Sequence, residues 1–385
     1  MSESANSATA AVLTEKVTEP LKRAFVGKDE IIDLLAVSLV AGENLFLLGP
    51  PGTAKSALVQ ELARRLDGQI FDYLLTRFTE PNELFGPFDI RQLRDGQLVT
   101  NTEGMLPEAS FVFLDELLNA NSAILNSLLM VLNERIFRRG RETIKLPLLM
   151  VVGASNRLPE DDALNALFDR FLLRVPCDNV APEALAAVLT AGWRLDNTSD
   201  RPTGVVSVKE IRQLQRRIAD VQLESVREPY VELVQRLRHA GIPISDRRAV
   251  RLQRVIAASA LLCGRQEANR ADFWVLRYIW NTEEQQPVLA SLIQNALEKA
   301  SENEMAVSHT RARQADEADP EQIGRGLSNI ERQLNDGVED TERVYLQDQV
   351  AILASRCEWV RNEQQREFLQ QQVQQLWDKL GVNAK

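Results

Sequence analysis

Eight consecutive residues constrain this chain more than any others: Gly49-Pro50-Pro51-Gly52-Thr53-Ala54-Lys55-Ser56. They follow an apolar run, Asn44 to Leu48, and lead into Ser56 to Leu66, where apolar residues recur at helical spacing. Strand, glycine-bearing loop and helix are the three parts of a phosphate cradle. Small residues let backbone N–H groups point inward, and the helix N-terminus adds partial positive charge. In such a cradle the backbone from Gly49 to Ala57 would line the phosphates of a nucleotide, Lys55 would reach the β- and γ-phosphates, and the Ser56 hydroxyl would ligate Mg²⁺. The usual pattern has glycine where Ala54 stands. Alanine tolerates ordinary helical dihedrals, so binding is expected to survive. The plain alternative for the segment taken alone is a Gly/Pro turn before an ordinary helix, and the cradle is the stronger reading.

The surroundings decide for the cradle. From Leu21 to Pro176, short β-type runs alternate with helical patterns, the sign of a parallel sheet with helices on both faces. The runs are Asn44 to Leu48, Phe71 to Leu75, Phe111 to Leu114, Leu148 to Val152 and Phe171 to Val175. This predicts a doubly wound α/β domain over 21–180, after a polar tail at 1–20. Beyond Asn179 the β-type runs stop, and an all-helical unit is expected over 181–280, followed by a helical extension over 281–385. Within that extension, Ser301 to Pro320 reads as a linker or exposed helix. Leu346, Val350, Leu353, Cys357 and Val360 then form a helical stripe, as do Leu369, Val373, Leu376 and Leu380. Such stripes predict helices packed within the chain.

Further chemistry is expected at the ends of the later strands. Phe111 to Leu114 runs into Asp115-Glu116, two carboxylates at the carboxyl end of an apolar strand, where open α/β sheets bind ligands. Asp115 would hold Mg²⁺ through its water shell, and Glu116 would orient and deprotonate an attacking water. The strand Leu148 to Val152 continues into Gly153-Ala154-Ser155-Asn156, which would set Asn156 beside the γ-phosphate. Arg170 then stands just before the last strand. Each of these has a plain alternative: an acidic helix start, a turn asparagine, a surface ion pair with Asp169.

Together, and in this order, the motifs resemble those of the MoxR family of AAA+ ATPases, most of all its RavA-type branch. The resemblance runs from Leu21 to Trp280. It includes Leu75-Thr76-Arg77-Phe78-Thr79-Glu80-Pro81, Leu84-Phe85-Gly86-Pro87, Leu132-Asn133-Glu134-Arg135 and Asp169-Arg170-Phe171. It implies a P-loop AAA+ domain with a helical lid, ATP and Mg²⁺ as ligands, and a homo-oligomeric ring, a hexamer, acting on a protein client alongside a von Willebrand factor A domain partner. By the same resemblance, Val26 and Gly27 in Phe25-Val26-Gly27 would contact adenine, Arg170 would reach into a neighbour's site, and Arg247 in Ser245-Asp246-Arg247-Arg248 would be the lid sensor, with Ser245 as helix cap. Two hairpins, around Arg94-Asp95-Gly96 and around Arg138 to Arg141, would face the pore or the substrate. One departure is that RavA-type proteins can carry a β-containing module beyond the lid, whereas the segment after Trp280 reads as helix and polar linker.

Composition bounds the alternatives. A net charge of −10 argues against a surface built throughout for nucleic acid or anionic membrane. A nucleic-acid motor remains the second reading, because Arg135, Arg138, Arg139, Arg141 and Lys145 cluster on one hairpin; a nucleotide-gated scaffold with little turnover is the third. The cysteines Cys177, Cys263 and Cys357 form no metal or disulfide pattern, and the N-terminus lacks a signal sequence. The expected setting is the cytoplasm, with neither export nor membrane insertion.

Overall fold

The computed structural model describes residues 9–89, 91, 94, 99–139, 142–198, 202–313 and 320–336, with 346, 347, 350, 353, 354, 357 and 363–380. In chain order the nucleotide-binding half comprises α1 (Asp29–Ala41), β1 (Leu45–Leu48), α2 (Lys55–Arg65), β2 (Ile70–Leu74), β3 (Phe111–Asp115), α3 (Ser122–Glu134), β4 (Ile136–Arg139), β5 (Glu142–Lys145), β6 (Met150–Ser155), α4 (Asp162–Phe168) and β7 (Leu173–Pro176). Five strands form one sheet in the order β2-β3-β6-β1-β7, every pair parallel. β1 is buried at all four positions and β6 at all six, as expected of strands covered on both faces. The fold is an α/β AAA+ fold. β6 reaches Ser155 rather than stopping at Val152, because Ser155 pairs with Leu48; the small residues Gly153 and Ala154 are strand, not strand exit. Gly153 is needed there, since a Cβ would come within 2.7 Å of Leu117 and 2.9 Å of Phe171.

The second expected hairpin is present as the antiparallel pair β4–β5, with its tip outside the described residues. The first, over Asp89 to Thr100, lies largely outside them; at its base Phe88 bridges Thr100 antiparallel and the Asp89 N–H donates to Val99 O at 2.8 Å.

Helices follow: α5 (Leu185–Asn197), α6 (Val208–Arg217), α7 (Glu224–His239), α8 (Asp246–Leu262), a 3₁₀ segment Arg270–Tyr278, α9 (Gln285–Leu297), α10 (Pro320–Asp336) and α11 (Glu363–Leu380). The segment Arg270–Tyr278 is 3₁₀. Every residue from Ala271 to Tyr278 is buried, so no single apolar face selects the pitch. Its anchor is polar: Trp274 Nε1 donates to Ser259 Oγ at 2.9 Å, and Ser259 Oγ donates to the fully buried Asp272 at 2.7 Å.

Two arginines join the helical unit to the sheet. Arg174 of β7, fully buried, donates to Trp280 O at 2.6 Å and to Asn281 Oδ1 at 2.6 Å; Arg248 of α8 donates to the same Asn281 oxygen at 3.0 Å and to Ile279 O. Burial, with each other's charge added on Arg174, pushes both guanidinium groups below their ordinary range. The Asp169 carboxylate pulls both the other way, and the backbone carbonyls of Ile279 and Trp280 accept their N–H groups.

Beyond Trp280 the packing continues. α9 lies against Arg270–Tyr278 and α7. The stretch from Ser301 is not a bare linker as far as Arg313: Arg311 Nε sits 3.0 Å and Lys22 Nζ 2.7 Å from the buried carboxylate of Asp33 on α1, and His309 stacks on Trp274. Residues 314–319 lie outside the described ones. A second apolar cluster joins Ile323, Leu327 and Ile330 of α10 to Leu346, Val350, Leu353, Cys357 and, on α11, Leu369, Val373, Leu376 and Leu380. The two stripes therefore pack within the chain; Val360 lies outside the described residues. Among the described residues no helix is long and apolar enough to cross a membrane.

Candidate nucleotide-binding site

The loop after β1 is shaped by close approach and by backbone conformation. A Cβ on Gly49 would lie 2.2 Å from Cys177 O, at the exit of β7, so only glycine lets the two strand ends run side by side. Gly52 has φ +83° with nothing near its missing side chain, so there the backbone itself asks for glycine. Ala54 corrects the sequence expectation. It lies at φ +63°, ψ +24°, the left-handed region, and not at ordinary helical angles. That conformation costs an alanine about 1–2 kcal/mol, against the ~0.5–1 kcal/mol a glycine loses in chain entropy. Ala54→Gly is therefore expected to raise unfolding stability by roughly 0.5–1 kcal/mol, read from the denaturation midpoint without nucleotide. A lowered midpoint would show that the loop carries no such strain.

Lys55 is buried, and its Nζ donates to Gly49 O at 3.0 Å and Pro50 O at 2.7 Å, lying across the mouth of the loop. No side chain caps the start of α2 and no acidic residue occupies its first turn. Its first N–H groups and the Lys55 ammonium therefore suit an anion, and the residues present fit a nucleotide's phosphates. Pro50, Pro51, Gly52 and Ala57 are exposed, Ser56 is half-buried, and the buried Thr53 bonds back to Pro50 O.

Register brings the other motifs to the same edge. Leu48 pairs with Ser155 and Gly153 with Leu114, so Gly49, Asn156 and Asp115-Glu116 leave adjacent strands β1, β6 and β3 at their carboxyl ends. Neighbouring strands lie ~4.8 Å apart, so the three exits span about 10 Å. Asn156 is exposed. Asp115 is half-buried, and its Oδ1 accepts the Glu116 N–H at 2.9 Å. Glu116 has φ +49°, ψ +41°, the strained region often found at functional sites. Burial, then Asp115, hold its carboxyl above the ordinary range, while Lys55 and Arg157 pull the other way. A carboxylate shifted upward in a cleft suits proton abstraction from water. Among the described residues no three acidic, His or Cys groups gather for a metal, so Mg²⁺ would rest on Ser56, Asp115 and the phosphates, as it commonly does.

Three residues here carry no motif that sequence reasoning could use. Arg157 bonds Asn119 Oδ1 at 3.3 Å and Glu160 Oε1 at 3.1 Å, at the wall of a cavity of about 340 Å³ that Arg77, Asn121 and Asp161 also line. Asn119 follows Glu116 in the turn Leu117–Asn119. Cys177 sets its Sγ 3.5 Å from Thr53 Oγ1. The proposed adenine segment is near: Gly27, at φ +75°, packs against Val180, and Lys28 Nζ donates to Asp178 O, three residues or fewer beyond Cys177.

Arg170 and Arg247 lie elsewhere. Arg170 precedes β7, and its carbonyl accepts from Asn44 Nδ2 at 3.2 Å, just before β1 begins; its guanidinium is 4.0 Å from Asp169. Arg247, exposed on the first turn of α8, donates to Asn133 Oδ1 at 3.3 Å, while Ser245 caps that helix. Asn133 is two residues from Arg135, whose side chain reaches Gly42 O and Asn44 Oδ1. Both residues thus sit by the amino ends of the strands, opposite Lys55 and Glu116. The expectation that Arg247 serves the phosphates through its own lid meets this geometry: within one chain it is directed away from the loop. Arg248, buried in the junction, is not free to do so either.

Fold and site together define a P-loop α/β nucleotide-binding chain of the AAA+ type. The model of the MoxR domain in the MoxR-vWA-beta-propeller ternary systems matches residues 12–216, more than half of the chain, and an AAA lid domain model matches 225–293. The chain belongs to this MoxR family of AAA+ ATPases. It is 39% identical over 268 residues to an uncharacterized protein of Methanocaldococcus jannaschii, covering 69% of each chain. It is 26% identical to the chaperone MoxR1 of Mycobacterium tuberculosis, covering 52% of this chain and 53% of that one. A crystal structure from Cytophaga hutchinsonii, provisionally described as an ATPase, superposes with TM-score 0.63 at 22% identity, over 78% of this chain and 98% of that one.

Proposed function

We propose that this chain hydrolyses ATP with Mg²⁺ in a ring of identical subunits, a hexamer, and uses the cycle to remodel or mature a protein complex in the cytoplasm. One observation carries the reading: β1, β6 and β3 are neighbours, and they release the phosphate loop, Asn156 and the Asp115-Glu116 pair at one edge. In this reading Lys55 and the α2 N-terminus hold the phosphates, Ser56 and Asp115 hold Mg²⁺, and Val26 and Gly27 meet the base. Glu116 takes the proton of the attacking water, with Asn156 beside it. Arg170 and Arg247 lie at the far end of the strands, which favours service to a neighbouring subunit.

The name of the matched family supports a von Willebrand factor A domain protein and a β-propeller protein as partners. The RavA-type branch rests on the motifs alone. The matched family model is that of the MoxR domain in the ternary systems, which supports placing the chain with that branch. The nucleic-acid reading keeps only part of its basic hairpin. Arg135 is directed into the Gly42–Asn44 junction, Arg139 stacks over Phe88 at 3.8 Å and bonds Gly86 O, and Arg141 lies outside the described residues. Arg138 and Lys145 remain exposed.

The test is Mg²⁺-dependent phosphate release together with equilibrium binding of a fluorescent ATP analogue. Lys55→Ala is expected to abolish both, since it removes the charge facing the β- and γ-phosphates. Unchanged analogue affinity would sink the assignment of the loop.

A further inference from the structure

The groups that the proposed reaction sets around water leave two neighbouring strands: Glu116 directly after β3, Asn156 directly after β6. The ladder between these strands runs from Phe111–Met150 to Leu114–Gly153, so both groups lie beyond it and their relative placement has to come from side chains. Glu116 needs such support most. Its backbone lies in the left-handed region at φ +49°, which a residue with a side chain keeps only where its surroundings over-determine it.

The local ties of Glu116 stay within its own turn. Its N–H donates to Asp115 Oδ1 at 2.9 Å, and its carbonyl accepts the Asn119 N–H at 2.8 Å. Leu117, buried against Gly153, keeps that turn close to β6, but apolar contact has no direction and leaves its rotation open. Arg157 supplies the direction. Its backbone N–H donates to Ser155 Oγ at 3.3 Å, which holds it to the last residue of β6, and its Nη1 pairs with Glu160 at 3.1 Å, which holds the fork. Nη2 then donates to Asn119 Oδ1 at 3.3 Å. A continuous path therefore runs from Ser155 through Arg157 and Asn119 to Glu116, and Asn156 lies inside it. From the other side, Asn121 Nδ2 donates to Thr79 O at 2.8 Å, so the stretch after Glu116 is gripped between the loops that follow β2 and β6. Asp161, the other carboxylate at the cavity wall, is committed to the Leu164 N–H at 2.8 Å and leaves Arg157 to Asn119 and Glu160.

We infer that Arg157 is a positioning residue for the hydrolytic step, holding the turn after Glu116 and the strand exit that carries Asn156 in one register. The inference rests on the reading of Glu116 as general base and deepens it. Where a water must be aligned, a misplacement of about 1 Å can cost roughly 10² in rate. The phosphate loop and Lys55 belong to the exit of β1 and to α2, outside this path, so nucleotide binding does not depend on it. The Arg157 side chain is 41% exposed and lines a cavity, so replacing it opens no void in the core.

Arg157→Gln is expected to lose about 10- to 100-fold in kcat while keeping the KM for ATP, the affinity for a fluorescent ATP analogue, the oligomeric state seen by light scattering and the melting temperature. Asn119→Ala should reproduce the loss from the other end of the bond. The double variant should then be no slower than the slower single one, because both changes break the same tie. Arg157→Lys keeps the charge without the planar fork and should recover only part of the rate. A parent-like kcat in Arg157→Gln overturns the inference, as do single losses that multiply in the double variant, or full recovery in Arg157→Lys beside a parent-like Asn119→Ala. A fall in melting temperature and analogue affinity alongside kcat marks a merely structural role and overturns it too. In each of these cases an inactive Glu116→Gln in the same assay leaves the general-base reading standing, whereas a Glu116→Gln that turns over at the parent rate overturns both.

Discussion

Glu116→Gln is expected to bind ATP as tightly as the parent and to turn it over ~10² to 10⁴ times more slowly, the usual contribution of a positioned general base. The amide keeps the shape of the side chain and still accepts a hydrogen bond from water, but it cannot take the proton. The fold should tolerate the change. Glu116 is half-buried, its left-handed backbone is set by the turn Leu117–Asn119, and burial already disfavours its charge, so removing that charge adds no desolvation cost. Equal melting temperatures would exclude a folding defect. Single-turnover measurements separate the outcomes: normal analogue binding with a slow chemical step is expected, whereas near-parent turnover would mean that the base lies elsewhere.

How much of this site was legible in the sequence follows from what each signal encodes. The central strands were visible because a strand covered on both faces must be apolar at every position, as Leu45 to Leu48 and Phe111 to Leu114 are. The order of the strands is set by crossovers that local pattern does not record, yet only that order brings Asn156 between Gly49 and Asp115. Ala54 was misjudged for a similar reason. Residue type limits backbone angles without choosing among them, and the turn into α2 forces this alanine to positive φ. Arg157 was invisible because a lone arginine after a strand is normally a surface charge; its bond to Asn119 exists only once β6 lies beside β3. Arg247 shows the other limit. Its motif was readable, but whether it serves its own subunit depends on how α8 docks on α1, and that docking is fixed by long-range contacts such as Arg251 to Glu43 and Arg254 to Ala41 O.

Arg170→Ala is expected to bind ATP much as the parent does and to hydrolyse it about 10³ to 10⁵ times more slowly, the range seen when an arginine is withdrawn from a phosphoryl-transfer site. The physical case begins with where Arg170 stands: its carbonyl is held by Asn44 at the amino end of β1, while the phosphate loop leaves the carboxyl end. Its Nε is buried without a hydrogen-bond partner and its nearest carboxylate, Asp169, is 4.0 Å away, so its own chain leaves much of its donor capacity unused. A planar, permanently charged fork suits charge that spreads over the transferring phosphoryl oxygens. If that charge belongs to the next subunit, the defect must be repairable from outside. Lys55→Ala protein cannot use its own site, but it still carries Arg170; an Arg170→Ala neighbour still carries Lys55, Asp115 and Glu116. Mixing the two dead proteins should therefore restore phosphate release, because every boundary with the right order contains one complete site. Activity should peak at intermediate ratios and vanish at either extreme. If exchange of subunits is demonstrated with fluorescent labels and no activity returns at any ratio, Arg170 does not act across a subunit boundary.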